Sequence, residues 1–229
     1  MQIGFTSRHY LCAMENDQKQ ERELKLSPIT IFVGPNGSGK SRMVEHILTM
    51  PKRLEALYGI KKTHVLQEHH LSNTDTFTKE AGGNLWEILH SYYIYVDNGD
   101  NSLHGYIQNW LQTFGIANDF RVIKNPDDSF SVEVQSSEFF WMHLVDMGSG
   151  TILMIKMLME LAWLSAADSE STLVIVESPE NILYPKNQSL LADLFLDLYE
   201  RFGLRFIIET HSEYLIRRTQ VLVAKMFSR

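Results

Sequence analysis

The sequence predicts an α/β fold: a mostly parallel sheet flanked by helices, with an N-terminal antiparallel β part and an inserted lobe of helices and a β-hairpin. Three observations predict it. A β-rich run, SPITIFV (27–33), passes through a glycine-rich loop directly into the helix-spaced segment RMVEHILTM. Short apolar runs at 173–177 and 205–209 alternate with helical segments, the pattern of parallel strands joined by helical crossovers. DFRVIKNPDDSFSVEVQ alternates on both sides of the turn-forming Asn125-Pro126-Asp127-Asp128, the pattern of a hairpin. The expected organisation is one domain over 1–229, with a core from 1–51 and 142–229 and an inserted lobe at 52–141.

The elements follow in order. The first forty residues read as strands, with the polar turn ENDQKQERE between two of them, and the helix after the glycine-rich loop stops at Pro51. Residues 52–84 are polar and mixed and define no element. NLWEILHSYYIYV predicts a helix, although Tyr-Tyr-Ile-Tyr-Val also suits a strand. HGYIQNWLQTFGI predicts a helix closed near Gly115. A helix is expected from Gly150 to about Ala167, then strand 173–177, helix 187–202, strand 205–209 and a last helix from about 212.

Composition narrows the class. Apolar content of 44% and charged content of 21% are those of a globular domain, and 229 residues can bury one substantial core. The N-terminus, MQIGFTSRHYL, shows no basic head before an apolar stretch, so no signal peptide is expected. ILMIKMLMELAWL (152–164) is short for a bilayer span and carries Lys156 and Glu160, so it reads as a buried helix and no membrane partner is expected. A lone Cys12 fits a cytoplasmic setting. The formal charge of −7 argues against a general nucleic-acid platform. From residue 201 onward, however, Arg201, Arg205, Arg217, Arg218, Lys225 and Arg229 face only Glu209 and Glu213, a local basic face that could meet nucleic acid or simply be solvated.

GPNGSGKS (34–41) fits G-x-x-x-x-G-K-[ST], a pattern that a random window matches roughly 1 time in 30,000. The strand before it and the helix after it are the context the motif requires. Its glycines let consecutive backbone N–H groups face phosphate oxygens, and the helix N-terminus adds its positive dipole end. Gly34, Pro35, Asn36, Gly37, Ser38, Gly39, Lys40, Ser41 and Arg42 would surround the phosphates of a nucleoside triphosphate. Lys40 would reach the β- and γ-phosphates and the Ser41 hydroxyl would bind Mg²⁺. A GTPase base reader, Asn-Lys-x-Asp, is missing: KNPD (124–127) has the wrong order. The Arg-rich lid of a small-molecule kinase is missing from the middle region too.

Three later stretches bear on the chemistry. In VDMGSGTILMI, Gly148, Ser149 and Gly150 precede a helix and could form a second anion site or only a structural helix start. LVIVESPENILYP ends a buried run on Glu177, where an acid could hold the metal through water. FIIETHSEYLI ends another buried strand on Thr210, His211 and Ser212; His211 could meet the γ-phosphate or the attacking water, and Ser212 could cap the next helix.

In this order the motifs resemble the ATP-binding-cassette (ABC) type head domain, and more closely the stand-alone bacterial AAA/ABC-type ATPases related to the overcoming-lysogenization-defect (OLD) ATPase domain. The resemblance covers nearly the whole chain, with GPNGSGKS as Walker A, DMGSG as the signature loop, ESPENILYP as the Walker B and D-loop stretch, and ETHSEYLI as the switch-histidine segment. WLQTFGI and the hairpin after it also resemble the segment preceding the signature in this group. It implies ATP and Mg²⁺ as cofactors, a homodimer enclosing two ATP sites, and Gly148–Ser149–Gly150 of one copy covering the γ-phosphate held by the other. It also implies a separate effector, a nuclease or toxin, in a setting such as anti-phage defence.

One departure affects the chemistry. Hydrolytic relatives end Walker B in Asp-Glu, whereas the aligned pair here is Glu177-Ser178, and serine is no general base at neutral pH. Either His211 or Glu180 supplies the base, or Glu177 serves twice, or turnover is very slow. Slow hydrolysis or an ATP-gated switch is expected, with a DNA-clamping repair ATPase and a non-hydrolysing scaffold as alternatives. Gln67 could be the Q-loop contact to Mg²⁺. His64, Glu68, His69 and His70 lack a zinc-site spacing, and Trp110, Phe114, Phe139, Phe140 and Trp141 read as core aromatics.

Overall fold

The computed structural model describes residues 3–6, 26–35, 37–66, 76–79, 83–137, 140–166, 171–181 and 183–227. The chain divides into two compact units, residues 1–67 with 168–229, and residues 68–167.

The first unit is built on a five-stranded sheet. Its strands are β1 (Ile3–Thr6), β2 (Ile29–Val33), β3 (Lys62–Leu66), β7 (Thr172–Glu177) and β8 (Arg205–Thr210), in the order β1-β2-β8-β7-β3. Every pairing in it is parallel. β1 therefore lies parallel to β2, not antiparallel; residues 7–25, the remainder of the expected N-terminal antiparallel part, lie outside the described residues. β3 comes from the stretch whose composition defined no element. His64 sits on it, while Glu68, His69 and His70 lie outside the described residues.

The central strands are buried on both faces, as apolar runs covered by helices should be. On one face Phe32, Leu173, Ile175 and Ile207 pack with Met43, Val44 and Ile47 of α1 (Lys40–Leu48) and Leu54 of α2 (Pro51–Tyr58). On the other, Ile29, Ile31 and Ile208 meet Phe195 of α6 (Pro185–Phe202) and Leu215 of α7 (Glu213–Phe227). Neighbouring residues of one strand thus serve opposite layers, the period-2 consequence of the pleat. Pro51, expected to end α1, also occupies the first turn of α2, where its missing N–H costs no hydrogen bond.

The second unit combines α3 (Gly83–Asp97), α4 (Ser102–Phe114) and α5 (Ser149–Ala166) with an antiparallel sheet of β4 (Asp119–Lys124), β5 (Phe130–Ser137) and β6 (Phe140–His143). The expected hairpin is β4–β5, paired from Asp119↔Gln135 to Lys124↔Phe130. β6 is a third strand that the sequence reading did not place, joined to β5 with a register irregularity at Gln135–Ser137. Trp110 and Phe114 are core residues as expected, but Phe140 is 61% exposed because it opens an edge strand; Phe139 lies outside the described residues. A polar pin crosses this core: the Tyr92 hydroxyl meets His104 Nδ1 at 2.6 Å, and His104 Nε2 lies 3.0 Å from Asp119 Oδ1. α5 is long and apolar enough to cross a membrane by length and composition, yet it buries Met154, Ile155, Leu158 and Leu161 and packs on α3 and α4 as a core helix does.

Candidate nucleotide-binding site

The glycine-rich loop joins the end of β2 to α1 through the turn the motif requires. Gly39 caps α1 with φ 85°, a left-handed conformation that suits glycine. A Cβ on Gly34 would stand 2.7 Å from Ser38 Oγ, so a larger residue there would push the Ser38 side chain aside. Lys40 is 4% exposed, an unusual depth for a lysine. Its ammonium folds back over the loop, donating to Gly34 O at 3.0 Å and Pro35 O at 3.2 Å. The Ser38 hydroxyl is buried there without a hydrogen-bond partner among the described residues. Arg42 is exposed on the first turn of α1, and Asn36 lies outside the described residues.

The next group of the site comes from the sheet. β8 lies between the loop-bearing strand and β7, so Glu209 is registered against Phe32 on one side and Glu177 on the other. Glu209 is 7% exposed. It accepts the Ser41 hydroxyl, whose Oγ lies 3.1 Å from Oε1 and 3.0 Å from Oε2, and its Oε1 lies 3.7 Å from Lys40 Nζ. Glu209 was not among the residues singled out from the sequence. The signal was present, an acid near the end of an apolar run, the same one that drew attention to Glu177.

Glu177 ends β7 with its side chain reaching solvent. Partial burial of its carboxyl, then the negative charges of Glu209 and Glu45, hold its pKa above the ordinary carboxylate range. Two carboxylates on neighbouring strands and a hydroxyl make an all-oxygen donor set, the chemistry a hard divalent cation such as Mg²⁺ prefers. A cation there would also offset the repulsion that raises Glu177. Gln67, the third expected metal contact, lies outside the described residues.

After Glu177 the chain turns sharply. Ser178 has φ 45°, a left-handed conformation costing a non-glycine residue about 1–2 kcal/mol. Its N–H donates to Glu209 O at 2.8 Å, tying the turn to β8. Glu180 is 7% exposed; its Oε1 accepts the His211 backbone N–H at 2.6 Å, while its Oε2 is buried with no partner among the described residues. The His211 side chain is exposed at the start of the following turn. Ser212 does cap the next helix: its Oγ accepts the Leu215 N–H at 3.2 Å and donates to Gln188 Oε1 at 2.6 Å.

The first unit thus brings together Lys40, Ser41, Glu177, Glu180 and His211, and adds Glu209. Gly148, Ser149 and Gly150 belong to the second unit, where they open α5, with the Thr151 and Ile152 N–H groups bonded back to Gly148 O. The C-terminal cations are largely paired. Arg218 donates to both oxygens of Asp193 at 2.8 and 2.6 Å, Arg217 pairs with Glu213, and Arg201 with Asp197.

The sequence profile of the AAA ATPase domain matches residues 98–216. No match is found among curated proteins. Among solved structures, the SMC head domain from Thermotoga maritima aligns at 12% identity over 85% of this chain and 85% of its own, with a TM-score of 0.49. An Smc head domain with an extended coiled coil from Pyrococcus furiosus, bound to the C-terminal domain of ScpA, aligns at 13% identity over 79% of this chain and 42% of its own, with a TM-score of 0.44. An SmcHead bound to the C-winged helix domain of ScpA aligns at 13% identity over 59% of this chain and 43% of its own, with a TM-score of 0.45. The chain spans less than half the length of the last two.

Proposed function

Because this chain belongs to the AAA ATPase domain family, we propose that it is an ATP- and Mg²⁺-dependent switch that dimerises on ATP, hydrolyses it slowly, and reports its state to a separate effector. The observation that carries this reading is the loop itself: a buried Lys40 held over its own carbonyls, next to Ser41 bonded to a strand-borne carboxylate. Lys40 and the loop N–H groups bind the phosphates, with Gly34 to Arg42 as the surrounding segment. Ser41, Glu177 and Gln67 are the proposed contacts to Mg²⁺, which when bound would neutralise phosphate charge. Glu180 holds the backbone of His211, leaving the exposed imidazole available to a phosphate or to water. Ser178 in place of a carboxylate accounts for slow turnover, since losing a general base typically costs about 10²- to 10⁴-fold.

The composite site requires a second copy, whose Gly148–Ser149–Gly150 helix start would direct its N–H groups at the bound phosphate. The OLD-type relationship, a nuclease or toxin as effector and a role in anti-phage defence rest on the motif resemblance. Location in the cytoplasm rests on the lone cysteine. The DNA-clamping alternative would use Arg217 and Arg218, which pair with Glu213 at the surface and with Asp193 respectively.

Light scattering with and without ATP and Mg²⁺ tests the reading. The wild type should double in mass on adding both, and Lys40→Ala should stay at its starting mass. A doubling that survives in Lys40→Ala would overturn it.

A further inference from the structure

The reading above uses Glu209 only as the acceptor beside Ser41, yet it touches both chemical groups on which that reading depends. It is the acceptor of the Ser41 hydroxyl and lies 3.7 Å from the Lys40 ammonium, at 7% exposure. Its backbone is fixed as firmly as its side chain, since β8 pairs on both sides and Glu209 O accepts the Ser178 N–H.

Two consequences follow from ordinary electrostatics. A hydroxyl that gives its proton to a carboxylate turns its lone pairs away from that carboxylate and becomes the better cation ligand, as outer-shell acceptors do for metal-binding side chains generally. The same carboxylate weakens the pull of Lys40 on a phosphate, because both charges lie in a water-poor site where screening is small. Together with Glu177 on the next strand, it leaves this end of the sheet with one more negative than positive charge around Lys40. A bare triphosphate is held less tightly there than it would be without Glu209. A divalent cation reverses the balance.

We propose that Glu209 is a positioning residue that makes nucleotide binding at this loop conditional on a divalent cation: it orients Ser41 towards the cation and restrains Lys40 in its absence. The proposal rests on the nucleotide-binding reading above and goes beyond it. It concerns the coupling between two ligands, so the quantity to measure is how far Mg²⁺ changes nucleotide affinity.

The test is calorimetric titration of the whole chain with a non-hydrolysable ATP analogue, in EDTA and in Mg²⁺, for wild type, Glu209→Gln and Lys40→Ala. Wild type should bind more tightly in Mg²⁺. In Glu209→Gln the ratio of the two affinities should fall by about tenfold or more, chiefly through tighter binding in EDTA. A general loss of structure would instead weaken binding in both buffers. In a folded Glu209→Gln, an unchanged ratio or weaker binding in EDTA would overturn the proposal while leaving the nucleotide-binding reading intact. No binding by wild type in either buffer would overturn both. If Glu209→Gln does not fold, Glu209→Asp decides by the same ratio, because its shorter side chain withdraws the charge from Ser41 and Lys40.

Discussion

Glu180 shows how the identity of one residue can mislead about its role. As an acid two positions after Ser178 it is a natural candidate for the missing general base. Its geometry is that of a structural acceptor, one oxygen on the His211 N–H at 2.6 Å and the other buried without a partner among the described residues. Glu180→Gln keeps a carbonyl oxygen for the His211 N–H, and should retain most of the turnover and nearly all the stability. Glu180→Ala leaves that N–H unmatched and should lower stability by about 1–3 kcal/mol in chemical denaturation. If Glu180→Gln folds with native stability but loses turnover completely, Glu180 is the base and its positioning role is secondary.

At the scale of the element, α5 carries a charge that its packing opposes. Lys156 is half-buried, with its ammonium 5.3 Å from the centre of the Phe77 ring. Burial lowers its pKa to about 8, and the nearby Glu160 only partly restores it. The sign of the linkage is then fixed. Between about pH 8 and the ordinary lysine value near 10.5, the unfolded chain binds a proton that the folded one does not, so stability rises with pH. Below pH 8 that contribution is absent and the charged lysine is a cost. Lys156→Met should therefore raise stability at pH 7, by about 1–2 kcal/mol once solvent screening of the partly exposed ammonium is allowed for, and remove the rise between pH 8 and 10.5. Thermal melts of both proteins across that range would show it. A wild-type profile that falls or stays flat there would contradict the assignment.

For the whole molecule, the proposed composite site predicts complementation between two defective copies. Lys40→Ala lacks the phosphate lysine, and Ser149→Arg blocks the helix start meant for the partner's phosphate. Neither alone should hydrolyse ATP. Mixed dimers hold one intact site of two, so an equimolar mixture should recover roughly a quarter of the wild-type rate if the interface has two-fold symmetry. Release of phosphate by the mixture, against none from either variant alone, is the measurement. No recovery, with both variants folded, would mean that the signature helix does not act across a dimer.

Much of this protein is written in local sequence, because local sequence carries the physics concerned. Gly34 and Gly39 permit the loop turn through their own backbone and the space at their own Cβ. The period-2 and helical patterns mark β2, β4, β5, β7, β8 and most of the helices, since burial repeats with the geometry of each element. β3 escaped because a short, half-exposed edge strand has neither the apolar run nor the strict alternation that marks one. Tertiary structure alone decided which acid meets Ser41. Ser41 and Glu209 are 168 residues apart, and only the insertion of β8 between β2 and β7 joins them. Strand order is a long-range choice of sheet pairing, and no nearest-neighbour pattern in a chain encodes it.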